Sequence, residues 1–322
     1  MEKNKGTVTQ ILRAKERRRY GTSHAELLSR IFQLEAAYRH LDRADTELAR
    51  YFPVAIVACM EGYFKLAIAE LIDSNDTYLS NASALFGSKS KADFETVRAL
   101  AGKKLSFGEL LAHTVSYSKL ENIDSAISIV TGSKFLTELK MTHDRWASEV
   151  EGKPIRPIMN DPDSVYMNVK NIFLMRHIVC HELASDYQFD FDEIGLCFKD
   201  CINFLEASKE YLSNLIEPNY PLTQSAINEK SGEELSLTLK ELKKLISEIT
   251  PSLTSSELNQ FNIAQSEWSS YADKWTNFDA DNYLGGTIRT SIHNMTYKDV
   301  VERRIEELKR YKLSRDVMNY TE

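Results

Sequence analysis

Between Ser23 and Arg50 the apolar residues Leu27, Ile31, Leu34, Tyr38, Leu41 and Leu48 recur at short helical intervals, mostly three or four residues. This spacing winds one apolar stripe along a helix and leaves the opposite face charged. Pro53 stands where a new helix would begin, and Val54 to Ile72 is then apolar on almost every side, broken only by Glu61, Gly62, Lys65 and Glu70. A helix without a polar face belongs in the middle of a core. Residues 74–93 are small and polar and predict a long connection with one short turn. Shorter helices follow at 94–104, 106–119, 122–131 and 133–148, then a proline-containing loop at 151–164 in which Asp163 or Ser164 is placed to cap the next helix. That helix runs from 165 to about 184 with Val165, Val169, Ile172, Val179 and Leu183 on one stripe, and another covers about 192–215.

The segment 217–233, punctuated by Pro218, Pro221 and Ser231-Gly232, predicts a linker. Beyond it the pattern gives helices at about 234–249, 255–278 and 297–313, with Thr254 and Glu257 spaced as a capping box and Gly285-Gly286 as a turn. The expected protein is all-α. A basic N-terminal arm (1–22) precedes a helical bundle (23–216), the linker (217–233), a small three-helix domain (234–313) and a tail (314–322). Twelve glycines and seven prolines in 322 residues are too few for a sandwich or barrel, and the length suits two domains. No internal repeat or low-complexity tract is present.

Charge narrows the classes. The net charge of −7 excludes binding nucleic acid through overall charge, but not through a local basic site. Seven basic residues in the first twenty, against Glu2 and Glu16, form an arm suited either to RNA phosphates or to a solvated helical lead-in. No apolar run approaches the roughly 18 residues of a bilayer span, and the start lacks a secretory signal, so a cytoplasmic protein without a membrane role is expected. The four cysteines are too few for a disulfide scaffold and fit reduced thiols.

The chemistry concentrates in the string from Asn171 to Glu182, which contains Arg176, His177, Cys180 and His181. At about 100° per residue, Arg176 falls within the apolar stripe and needs a partner or a purpose. His177 and His181 share another face. Arg176 and His181 are about 140° apart around the axis and converge only if the helix breaks near His181 or a second copy of the chain contributes. A plain alternative makes Arg176 the partner of a carboxylate on the central helix, Glu61 first among them. Glu61 also suits a surface pair with Lys65. Another alternative pairs His177 and His181 with Cys197 and Cys201 as a zinc site, although nothing in the sequence fixes the register of the two helices.

Arg176-His177-Ile-Val-Cys-His181, late in a helical domain whose early helix reads YFPVAIVACMEGYFKLAIAELID, resembles the HEPN superfamily of helical ribonucleases and nucleotide-binding modules. The resemblance covers about residues 23–216. It implies a homodimer that brings both copies of the motif into one cleft and cuts an RNA substrate with neither metal nor cofactor. Arg176 and His181 are then catalytic, with His177 and Glu61 supporting them or binding phosphate. A toxin or phage-defence effector is the setting this suggests, and a catalytically silent module binding nucleotide, RNA or protein is the alternative.

Leu258, Gln265, Trp268, Tyr271, Gly285-Gly286-Thr287 and Arg304 with Leu308 resemble the small helical domain of the lysozyme-inhibitor (LprI-like) family over about 235–310. Members usually carry cysteines near the positions of Trp275 and Met295, so the disulfide and the envelope role do not carry over. The plain reading of Trp268, Tyr271 and Trp275 is a core-facing aromatic stripe in a packing module, or one that binds a protein partner such as an antitoxin.

Overall fold

The computed structural model describes residues 2–85, 94–182, 187 and 190–319. It is helical throughout, with no strand among the described residues and one isolated antiparallel bridge between His143 and Pro157. The chain divides into two compact units, Met1–Asn219 and Tyr220–Glu322.

In the first unit, α1 (Glu2–Glu16), α2 (Ser23–Arg39), α3 (Thr46–Ala49) and α4 (Tyr51–Ser74) come first. Next are the short helices α5 (Asp76–Asn81), α6 (Phe94–Ala101), α7 (Phe107–Thr114), α8 (Leu120–Thr131) and α9 (Phe135–Leu139), then the long α10 (Pro162–His181) and α11 (Phe191–Ile216). Helix α4 is the axis. Ile56, Met60, Phe64 and Ile68, one turn apart, are wholly buried beneath α2, α7, α10 and α11. The continuous helical stretch Thr46–Ser74 is long and apolar enough to pass for a membrane span, contrary to the expectation from the sequence, and most of it is buried inside the unit. Core packing accounts for its composition.

Phe64, Phe135 and Phe204 form an aromatic cluster with ring centroids 5.7–6.4 Å apart. Tyr166 meets Phe204 edge-on and donates its hydroxyl to the Leu136 carbonyl at 2.7 Å. The register of α10 on α11 is set by a buried hydrogen bond, Asn168 Nδ2 to Asp200 Oδ2 at 2.6 Å. Breaking it would leave a polar group unpaired in the core.

Several boundaries differ from the sequence reading. Residues 40–45 interrupt the first long helix, and Leu48 is exposed rather than packed. The cap of α10 is Asp161, accepting from the Ser164 N–H at 3.2 Å, and not Asp163 or Ser164. Part of the predicted 74–93 connection is α5 and a 3-10 turn, Ala82–Leu85, while its remainder, 86–93, lies outside the described residues, as does Leu183 of the α10 stripe. The basic arm is a docked helix. Val8 and Ile11 of α1 pack on Ala99, Leu105 and Leu110, and Lys15 Nζ reaches Glu109 at 2.9 Å.

The second unit is a three-helix bundle of α12 (Gln224–Ile249), α13 (Ser255–Ala280) and α14 (Arg289–Asn319). Half of the predicted linker is therefore helix, because Thr223 caps α12 by accepting from the Ala226 N–H. The predicted tail largely continues α14. The Thr254–Glu257 capping box has both of its bonds, and Gly285 takes a φ of 81° that favours glycine. The core is Leu242, Leu245, Ile249, Val301, Ile305 and Leu308. Outside it, Glu234, Glu241 and Glu248, seven residues apart, meet Lys298, Lys309 and Lys312 at 2.7–2.8 Å.

The predicted aromatic stripe does not face this core. Trp268 packs against it, but Tyr271 and Trp275 are about half exposed. The buried positions of α13 are the small residues Ala272, Thr276 and Ala280, which leave the aromatic rings on the flank.

A tight contact makes the fold testable. Gly108 of α7 donates its N–H to Asp73 Oδ1 at 2.8 Å, and a Cβ there would lie 2.3 Å from the Ala69 carbonyl oxygen. Gly108→Ala is expected to lower the unfolding free energy by about 1–3 kcal/mol, read by urea denaturation. An unchanged midpoint would show that α7 moves away freely.

Candidate active site

Helix α10 is α-helical without interruption from Pro162 to His181, and Glu182 leaves it in extended geometry. The helix therefore carries the whole motif and breaks only after it. Val165, Val169 and Ile172 are buried as the stripe predicts, whereas Val179 is only half-buried. Arg176, which the spacing places within the stripe, is only partly buried, with 26% of its side chain exposed.

The expected carboxylate meets it. Arg176 Nη2 lies 3.5 Å from Glu61 Oε1, and Glu61 is 32% exposed. Glu61 is one of the few charged residues on α4. Its pairing holds the guanidinium against the α4 edge without burying it.

The two histidines are exposed and lie together, ring centroids 5.1 Å apart at 49°. His177 Nε2 is also 3.8 Å from Glu182 Oε1, an ion pair when the imidazole is protonated. Among the described residues no hydrogen bond joins Arg176 to either histidine. Taking Arg176 as zero, Cys180, His177 and His181 lie at about 40°, 100° and 140° around the axis. Sequence reasoning passed over Cys180, which is exposed on this arc. Its position four residues after Arg176 was the available signal.

The zinc alternative fails on geometry. Cys197 and Cys201 are fully buried while the histidines are exposed. Burial pushes the Cys59 and Cys197 thiols up to about 11, which keeps them protonated. Among the described residues no group of three or more His, Cys, Asp or Glu side chains could hold a metal ion.

The surrounding contacts fix the start of α11. Tyr38 donates its hydroxyl to the Phe191 carbonyl and stacks on the Phe191 ring, and Arg43 pairs with Asp192 at 2.7 Å. What the α10 arc offers chemically is a cation held in place beside two adjacent imidazoles on an open surface.

Comparison with known proteins bears on the other end of the chain. Residues 218–308 match the family of the lysozyme inhibitor LprI. The match begins earlier than the resemblance from sequence, takes in all of α12 and α13 and much of α14, and covers less than half of the chain. No curated protein and no solved structure matches the chain.

A partly exposed ion pair contributes only about 0–1 kcal/mol. Glu61→Gln and Arg176→Gln are therefore each expected to change the unfolding free energy by no more than about 1 kcal/mol in chemical denaturation. A loss several times larger would mark the pair as a structural element of the core.

Proposed function

We propose that the first unit is a metal-independent endoribonuclease of HEPN type, acting as a homodimer through Arg176 and His181. The observation that carries this reading is the unbroken α10. With no break before His181, one chain spreads the motif over an arc, and a second copy is the remaining way to bring an arginine and two catalytic imidazoles around one phosphate.

In that arrangement one His181 takes the proton of a ribose 2'-hydroxyl as its oxygen attacks the adjacent phosphorus. The partner's His181 gives a proton to the departing 5'-oxygen. Arg176 neutralises charge growing on the phosphate oxygens, Glu61 orients Arg176, and His177 binds phosphate. The cytoplasmic setting and a role as toxin or defence effector belong to the same proposal and rest on family analogy.

Arg176→Ala and His181→Ala are each expected to abolish cleavage of total RNA in the presence of EDTA while the protein stays folded. Products should end in 2',3'-cyclic phosphate and 5'-hydroxyl, and DNA should survive. Cleavage by His181→Ala at the wild-type rate would refute the site, and a magnesium requirement with 3'-hydroxyl ends would move the enzyme to another class.

A second reading concerns residues 220–322, favoured by the match to a lysozyme inhibitor and by the exposed rings of Tyr271, Trp275 and Phe278. This unit serves as a protein-recognition module, for an antitoxin or another protein, while the first unit carries the chemistry. Residues 1–219 alone are expected to remain soluble and to cut RNA as the full chain does, and residues 220–322 to fold alone by circular dichroism. Aggregation of the shortened chain would make the two units one cooperative body. Inhibition of a lysozyme by 220–322 would identify the partner class.

A further inference from the structure

On the other side of α4 from its deepest packing, a cleft of about 360 Å³ opens between α2, α4 and the end of α1. Its floor is apolar and includes Leu27, Ala58, Gly62 and Leu66, while Arg18, Arg30 and Lys65 stand around it on three separate elements. Arg30 and Lys65 make no hydrogen bond or ion pair among the described residues. Arg18 is 3.8 Å from Glu109, whose other oxygen already takes Lys15. The one lining carboxylate, Glu26, accepts the Tyr20 N–H at 2.6 Å. The cleft thus joins an apolar surface to two cations without an ion pair, Arg30 and Lys65, and to Arg18, which is loosely paired.

Gly62 adds an independent observation. It sits in the middle of α4, where glycine is less favourable than alanine, and a Cβ there would meet nothing within 4 Å. Gly108 has a close neighbour that requires glycine, and Gly62 has none. Gly62 is an exposed lining residue of the cleft, and a side chain there would project into open space. At about 100° per residue, Ala58 and Gly62 lie within about 60–100° of Glu61 around α4, so the cleft and the Arg176–Glu61 pair occupy adjoining sides of the same helix.

We infer that this cleft holds one unpaired nucleotide of an RNA strand beside the scissile bond. The base lies on the apolar floor, and the phosphates before and after it meet Arg18, Arg30 and Lys65. Cations spread over three elements suit the spaced phosphates of a strand better than a single compact anion, and a base with a flat apolar face suits the floor. This inference rests on the ribonuclease reading.

The test is fluorescence anisotropy with a labelled single-stranded 2'-O-methyl RNA oligomer, which cannot be cut by 2'-hydroxyl attack, on the full chain. Wild type should bind the oligomer. Gly62→Leu should weaken binding by about tenfold or more without lowering the melting temperature, since leucine is the better helix former. The double variant Arg30→Glu/Lys65→Glu should weaken binding and flatten its salt dependence.

Gly62→Leu binding like wild type, or wild type failing to bind, would overturn the inference. So would binding of uridine monophosphate in the cleft without binding of the oligomer. Oligomer binding that depends on Gly62 in a protein that cuts no RNA would support the cleft and remove the enzyme reading. Cleavage lost with His181→Ala but unaffected by Gly62→Leu would retain the enzyme and remove the cleft.

Discussion

Helix α4 buries one wide apolar face against its neighbours, and the first unit is organised around that constraint. Each turn from Ile56 to Ile68 presents a large apolar side chain with no exposure, and a buried side chain of that size contributes about 1.5–3 kcal/mol. The neighbouring helices α2, α7, α10 and α11 supply the cover. Gly108 shows how closely α7 approaches, and the Asn168–Asp200 bond keeps α10 from sliding on α11. The placement of Arg176 follows from these contacts, since the register of α10 against α4 and α11 decides which residue meets Glu61.

The charged positions of α4 then acquire meaning from what they fail to bury. Glu61 reaches out of an apolar helix to an arginine that is itself about a quarter exposed, and partly exposed pairs of this kind add little to stability. Glu70 is spent differently: both its oxygens accept from Ser23, at 2.7 and 2.6 Å, tying the start of α2 to α4. One carboxylate fastens a helix start, and the other holds a cation at the surface.

Much of this was legible in the residues because burial writes a strong pattern. The all-round apolar run at 54–72 announces the axis, and the three- and four-residue spacing of Leu27, Ile31 and Tyr38 announces its first cover. Glu61 was nameable as the partner of Arg176 because few charges interrupt that run. The misreadings arise where local and tertiary signals part. The run 23–50 is periodic enough to read as one helix, yet Asp42 turns the chain by accepting the Ala44 N–H at 2.9 Å. Tyr271 and Trp275 have core-like spacing relative to Trp268, but spacing cannot tell which flank a partner helix covers. The docking of α1 was hidden because its apolar partners lie about 90–100 residues away in sequence.

The second unit is held on different terms from the first. Its core holds six fully packed apolar residues, and around it run ion pairs between α12 and α14 that are at least partly open to solvent. Such pairs fix helix register more than they stabilise, so burying another aromatic ring would have been the direct way to strengthen the bundle. Instead α13 turns Ala272, Thr276 and Ala280 inward and leaves Tyr271, Trp275 and Phe278 outside, with the Trp275 and Phe278 rings 5.8 Å apart. Phe261 and Trp268 pack against the core, and the other three rings stay on the open flank of α13. The same choice explains why the sequence pattern misled: the rings keep helical spacing because they line one flank of α13, and that flank is turned to solvent.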